Sequence, residues 1–136
     1  MTVTERIPVI SVTKDDFDVA SMIDQAKLST SGALLTFLGI VRDDDIKRIE
    51  LEVYEEAALK LLVEIRDTAM QEYALGSVDI IHRYGSLNVG DNILLIIVSA
   101  GHRKEAFSAC EFILEQIKEK APIWKKEIGK DFERWK

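Results

Sequence analysis

The pattern of apolar and polar positions divides the chain into short, well-marked elements. Residues 7–12, reading I-P-V-I-S-V, alternate and predict a first strand. Pro8 makes it an edge strand, because proline has no N–H to give to a neighbour. Asp15 or Asp16 then caps a predicted helix to about Leu28, with Phe17, Ala20, Ile23, Ala26 and the stem of Lys27 near one face. The loop 29–32 leads into an apolar strand over 33–41, where Gly39 marks a bulge or a close backbone approach. Residues 49–54 alternate as I-E-L-E-V-Y, a half-exposed strand. Ala58, Leu61, Leu62, Ile65, Ala69 and Tyr73 recur at helical spacing and predict a second helix over 55–73, with Gly76 as its stop signal. A strand over 78–84 continues past a kink at Gly85 to Leu87, and a turn at 89–92 follows. The run 93–99 is apolar enough to be a central strand. A third helix over 103–120 places Phe107, Cys110, Ile113, Leu114 and Ile117 on its buried side. It ends near Ala121, because the residue before Pro122 is pushed out of the helical region, and 123–128 is extended.

This order, β-α-β-β-α-β-β-α-β, predicts an α+β fold with three helices and a mixed, largely antiparallel sheet. A Rossmann fold would alternate strictly, and the chain has neither G-x-G-x-x-G nor a Walker loop. At 136 residues it is expected to form one domain spanning 1–136. No apolar run reaches membrane-helix length, and residues 1–8 carry charge and lack an apolar signal core. A single cysteine, Cys110, excludes an internal disulfide and fits a reducing compartment, so the expected location is cytoplasmic. The net charge of −6 disfavours duplex nucleic acid, which needs a broad basic face, but leaves room for a small anion held by a few focused cations.

Such cations stand at particular places. Gly101-His102-Arg103 lies where a buried strand turns into a helix, and free N–H groups and the helix dipole there favour phosphate or carboxylate. The alternative is a capping histidine and a solvated arginine. Arg42 ends an apolar strand beside Asp43-Asp44-Asp45 and is either a surface ion pair or a guanidinium aimed at an anion. Lys118 borders the apolar face of the third helix, where its stem can pack and its amine can enter a cleft. A lysine partly removed from water beside other cations can act as nucleophile or proton acceptor. Lys125 shares a strand face with Ile123 and Glu127, while Lys120 and Lys126 include at least one plain surface lysine. His82-Arg83 lies within a strand, so only one of the two reaches a given side, and a structural role is favoured for both. Cys110 reads as a buried thiol rather than a nucleophile. Phe112 falls on the face opposite Phe107, where it hints at a subunit contact. No Cys/His cluster has the spacing of a structural zinc site.

Five pieces, in order from Gly32 to Glu127, with Trp135 near the end, resemble the large, catalytic subunit of molybdopterin synthase. They are G-A-L at 32–34 through F-x-G-x-V-R at 37–42; L-E-V-Y-E at 51–55; I-H-R-x-G-x-L-x-V-G at 81–90; S-A-G-H-R-x-x-A-F at 99–107; and K-x-x-A-P-I-W-K-K-E at 118–127. The resemblance implies a fold with a hammerhead-like elaboration and a sulfurtransferase acting on cyclic pyranopterin monophosphate to make the molybdopterin dithiolene. It implies a small ubiquitin-like sulfur carrier whose C-terminal Gly-Gly ends in a thiocarboxylate. It further implies a central homodimer within a heterotetramer, and no cofactor or metal for the transfer itself. Carried onto this chain, it gives Lys118 and Lys125 as catalytic residues. Arg42, His102 and Arg103 would hold the phosphate-bearing pterin, with Lys126 and Glu127 in the same substrate pocket. Two features depart from the pattern: the short acidic loop after Arg42, and Gly101 where serine or alanine is usual. A second reading is a non-catalytic docking module for a Gly-Gly tail; a third is an enzyme of similar fold acting on another phosphorylated pterin or a nucleotide. Pure docking would not need Arg42, His102, Lys118 and Lys125 together.

Overall fold

The computed structural model describes residues 7–136. The elements run β1 (Ile10–Thr13), α1 (Val19–Ala26), β2 (Ala33–Ile40), β3 (Arg48–Val53), α2 (Glu55–Glu72), β4 (Leu75–Arg83), β5 (Gly85–Asn88), β6 (Asn92–Ala100), α3 (Arg103–Lys120), β7 (Ile123–Ile128) and β8 (Glu133–Trp135). They form two four-stranded sheets, β1-β4-β6-β2 and β5-β3-β7-β8. Among the described residues only β1–β4 is parallel, and every other pairing is antiparallel. The α+β class expected from the element order is the architecture found. The reading of 1–8 as free of an export signal falls mostly on residues outside the described ones.

The first sheet is buried on both faces, which is why β6 carries no alternation. Ile80, Ile96 and Val98 meet α2 and α3 on one side, while Ile81, Leu95 and Ile97 meet α1 on the other. As expected, β6 is an interior strand, between β4 and β2. The second sheet has its own small core of Val41, Ile46, Ile49, Leu51 and Leu87. Helix α3 leads from the first sheet to the second: Ala121 N–H still bonds Ile117 C=O (3.0 Å), Pro122 stops the helix, and β7 then pairs with β3. Tyr54 N–H donates to Pro122 C=O (3.2 Å), tying this bend to the start of α2.

Several local expectations are corrected. Asp18, not Asp15 or Asp16, caps α1, its carboxylate accepting from Ser21 N–H at 3.1 Å. The buried face of α1 is Val19, Met22, Ile23 and Ala26, and Ala20 is exposed. Gly76 lies inside β4, at a register shift where a Cβ would come 3.0 Å from Leu28 and 3.4 Å from Ser99; it relieves crowding rather than ending a helix. Phe107 and Phe112 exchange the roles predicted for them. The buried line of α3 is Ala106, Ala109, Cys110, Ile113 and Ile117. Phe107 sits about 100° around from Ala106 and is 60% exposed, whereas Phe112 flanks the buried line and packs against Tyr73, ring centroids 5.8 Å apart. Strand β8 carries too few apolar positions to announce itself and forms by pairing on β7.

Candidate active site

Where the α3 side of the first sheet meets the second sheet, the packing leaves a cleft with two chambers. The row Val12–His82–Leu94–Gly39 crosses the first sheet here, and it ends at a residue with no side chain to fill the gap. One chamber, about 440 Å³, is walled chiefly by apolar side chains, among them Leu114, Ile117 and Ile123, and reaches His82. The other, about 390 Å³, is polar and is walled by Arg42, Asp44 and Glu127. Lys118 and Lys125 line both.

Local sequence explains their placement. Lys118 follows buried Ile117 in the last turn of α3, where the helix C-terminus favours a cation. In β7, Ile123, Lys125 and Glu127 alternate onto the cleft, as the strand period requires. Trp124 and Lys126 turn the other way. Trp124 lies opposite Glu52 and is 53% exposed. Lys126 bonds Glu133 at 2.9 Å and lies over the Trp135 ring. The Glu133 hydrogen bond raises its pKa above the usual lysine range. Lys126 thus stands on the face away from the two chambers, and the expected pairing of Lys126 with Lys125 in one pocket is not what this strand makes.

Glu127 is nearly buried and is held by Arg134 (2.7 Å) and Lys136 (3.8 Å). The Arg134 hydrogen bond first of all keeps its carboxyl below the usual range, so it stays anionic at neutral pH. Arg42 is mostly exposed, its Nε 3.0 Å from the Asp44 carboxylate. It makes the surface ion pair and also edges the polar chamber.

His102 and Arg103 lie elsewhere. With Gly32, Gly101 and Lys104 they line a separate concavity at the other end of α3. Arg103 and Lys118 stand in the first and last turns of the same helix, roughly 22 Å apart along its axis at ~1.5 Å per residue. One small substrate in one chain does not touch both. His102 occupies the N-cap position, but its side chain makes no capping bond. Gly32 holds this loop close: its N–H donates to Ala100 C=O (2.9 Å), and a Cβ would lie 2.1 Å from the Gly101 carbonyl oxygen. Gly32→Ala is therefore expected to displace Gly101–Arg103 and lower the thermal midpoint by about 3–12 °C, the shift that an overpacking cost of ~1–3 kcal/mol produces in a domain this size. Differential scanning calorimetry checks this.

The family model described as MoaE protein matches residues 12–120. The chain belongs to the MoaE family. A molybdopterin synthase catalytic subunit from Vibrio cholerae is 44% identical over 131 residues, covering 93% of this chain and 87% of that one. The crystal structure of molybdopterin synthase from Staphylococcus aureus superposes with a TM-score of 0.85 at 33% identity, over 92% of this chain and 94% of that one. A complex of subunits 1 and 2 of the molybdopterin-converting factor from Helicobacter pylori contains a chain of the same fold, with a TM-score of 0.79 at 22% identity, over 93% of this chain and 90% of that one.

In this MoaE chain the remaining candidates sort plainly. Cys110 is buried and burial pushes its thiol up to about 11, so it is not a thiolate at neutral pH. Arg83 is structural, donating to the Lys14 and Asn92 carbonyls (3.0 Å each), which pins the end of β1 and the loop after it. His82, read as structural from the sequence, lines the apolar chamber. Its signal was available: it continues the parity of Val78 and Ile80, both on the α3 side of the sheet. Among the described residues no group of three or more His, Cys, Asp or Glu is placed to hold a metal ion. None of the described helices is long and apolar enough to cross a membrane.

Proposed function

We propose that this chain is the sulfur-transferring subunit of a molybdopterin synthase, converting cyclic pyranopterin monophosphate to the dithiolene with sulfur from a thiocarboxylated carrier, in the cytoplasm. The observation that carries this reading is that Lys118 and Lys125 line both chambers of one cleft. A carrier tail of two glycines is thin enough for the apolar chamber, and the anionic pterin suits the chamber edged by Arg42. The reacting atoms then meet at the two ammonium groups. The carrier sulfur bonds to a pterin side-chain carbon as a C–O bond at that carbon breaks, its oxygen leaving with the phosphate or as water, and the carrier's C–S bond breaks. Its acyl carbon takes oxygen from water and leaves as a carboxylate; a second carrier supplies the second sulfur. Thiocarboxylate, phosphate and departing carboxylate are all anionic, and fixed cations stabilise such charge best where it develops. Lys118 serves as acid, base or transient acyl acceptor, while Lys125 steadies the developing charge.

The carrier is a small ubiquitin-like partner, in keeping with the two-subunit complex of the H. pylori relative. The separation of His102 and Arg103 from Lys118 supports a homodimer in which a second copy brings its α3 N-terminus to the first copy's cleft, within a heterotetramer. Symmetry makes such a contact reciprocal, so each dimer has two composite sites.

The test is turnover of cyclic pyranopterin monophosphate with purified thiocarboxylated carrier. Lys118→Ala and Arg103→Ala should each be deficient, the second chiefly through weaker pterin binding. Mixed and allowed to exchange, they should recover about a quarter of wild-type turnover, since half the dimers are mixed and each mixed dimer has one intact site of two. Recovery near zero, with exchange verified by native mass spectrometry, would sink the shared site; full activity of Lys118→Ala would sink the sulfur-transfer reading.

A further inference from the structure

The apolar chamber has an imbalance of hydrogen-bonding groups. Of the side chains that line it, all are apolar except Lys118, Lys125 and His82. In their ammonium form the lysines only donate, so among the described residues His82 is then the one side chain there able to accept. Its Nδ1 lies 2.8 Å from the Arg83 carbonyl oxygen. That oxygen has no hydrogen, so Nδ1 carries the ring proton and Nε2 keeps a lone pair in the neutral ring. Among the described residues nothing hydrogen-bonds to Nε2, which keeps some access to solvent.

A Gly-Gly tail has no side chains, but it carries backbone amides that lose water on entering this chamber. Its carbonyls and thiocarboxylate find donors in the two lysines. Its N–H groups need an acceptor, and an amide left without one costs affinity. We propose that His82 is a tail-binding residue, its Nε2 accepting a hydrogen bond from a backbone N–H of the carrier's C-terminal segment. This rests on the reading above that the tail enters the apolar chamber.

The surroundings keep the ring in the accepting form. The charged groups that line the chamber with it are Lys118 from α3 and Lys125 from β7; its neighbours across the sheet are Val12 and Leu94, and Arg83 points to the opposite face. Burial lowers the His82 pKa below its ordinary 6.5, partly offset by the Arg83 carbonyl hydrogen bond, so the ring is neutral at pH 7. Protonation would turn the acceptor into a donor. Tail affinity is therefore present at neutral pH and is lost as pH falls through the lowered pKa.

The experiment measures kcat and KM for thiocarboxylated carrier between pH 5 and 8, using the full chain. His82→Leu removes the acceptor and keeps the volume; it should raise KM for the carrier about tenfold at pH 7.5, the effect of one lost hydrogen bond. His82→Gln places an amide oxygen near the Nε2 position and should recover most of that loss. It should also lack the acid-side rise in KM, because an amide does not titrate. A wild-type KM in folded His82→Leu, or an acid limb unchanged in His82→Gln, overturns the proposal. Should His82→Leu fail to fold, the pH profile of His82→Gln decides alone. Lys118→Ala separates the two levels. If it is inactive while the His82 variants match wild type, only this inference falls; if it is active, the pocket reading falls first.

Discussion

Lys118→Ala is expected to lower dithiolene formation by about 100- to 10,000-fold, the range over which removal of one positioned acid, base or charge-stabilising group acts. The reason is positional. Lys118 lines both chambers, one turn after Leu114 and beside Ile117, so its amine stands where the two reactants must touch. The side chain is exposed, and truncating it opens no cavity in the core. The thermal midpoint should therefore stay within about 2 °C of wild type, as for most surface substitutions. A turnover assay run beside a melting curve separates loss of chemistry from loss of fold. Lys125→Ala should be less severe, since it removes charge stabilisation and leaves Lys118 in place.

Gly39→Val is the second substitution with a large expected effect. A Cβ at this position would meet Phe37 at 3.4 Å and Leu94 at 3.5 Å, ordinary van der Waals distances, and β2 accepts a branched residue. The fold should persist. The added methyls, however, enter the space that both chambers share, where Gly39 stands against Lys118 and Lys125. Displacing a reactant by about 1 Å costs roughly a hundredfold. We therefore expect kcat/KM to fall by about that factor, with Gly39→Ala intermediate. Circular dichroism and kcat/KM measured on the same preparations check it; unchanged turnover in folded Gly39→Val would show that the reactants do not pass this point.

How much of this was legible beforehand differs between elements for physical reasons. Helices α2 and α3 and strand β6 announce themselves, because a buried stripe or a doubly buried strand imposes a period on many residues at once. Gly39 was marked as a bulge or close approach; the register indeed shifts between Gly39 and Ile40, but its opening onto a cleft depends on partners in β6 and α3. The face taken by Phe107 and Phe112 was misjudged because α3 packs against a sheet on one flank and α2 on another, which widens its buried arc toward Phe112. The pairing of β8 with β7 is tertiary, and no local pattern encodes it. In the site, the placement of Lys118 and Lys125 on the cleft follows helix border and strand parity, while the catalytic role expected of them came from the family resemblance. Lys126 was carried with them by adjacency alone, and the period of 2 sends it to the opposite face. His82 was set aside because both members of a His-Arg pair were given one role, although alternate strand residues face different environments. The distance between Arg103 and Lys118 followed from the length of the helix they bound, and it turns one expected pocket into two surfaces that a dimer would have to bring together.

The most direct measurement is a crystal structure of this chain bound to its carrier. The last two carrier residues should lie in the apolar chamber, with the terminal carboxylate within hydrogen-bonding distance of Lys118 or Lys125. A tail that ends outside this cleft, or at the His102–Arg103 concavity of the same chain, would contradict this placement.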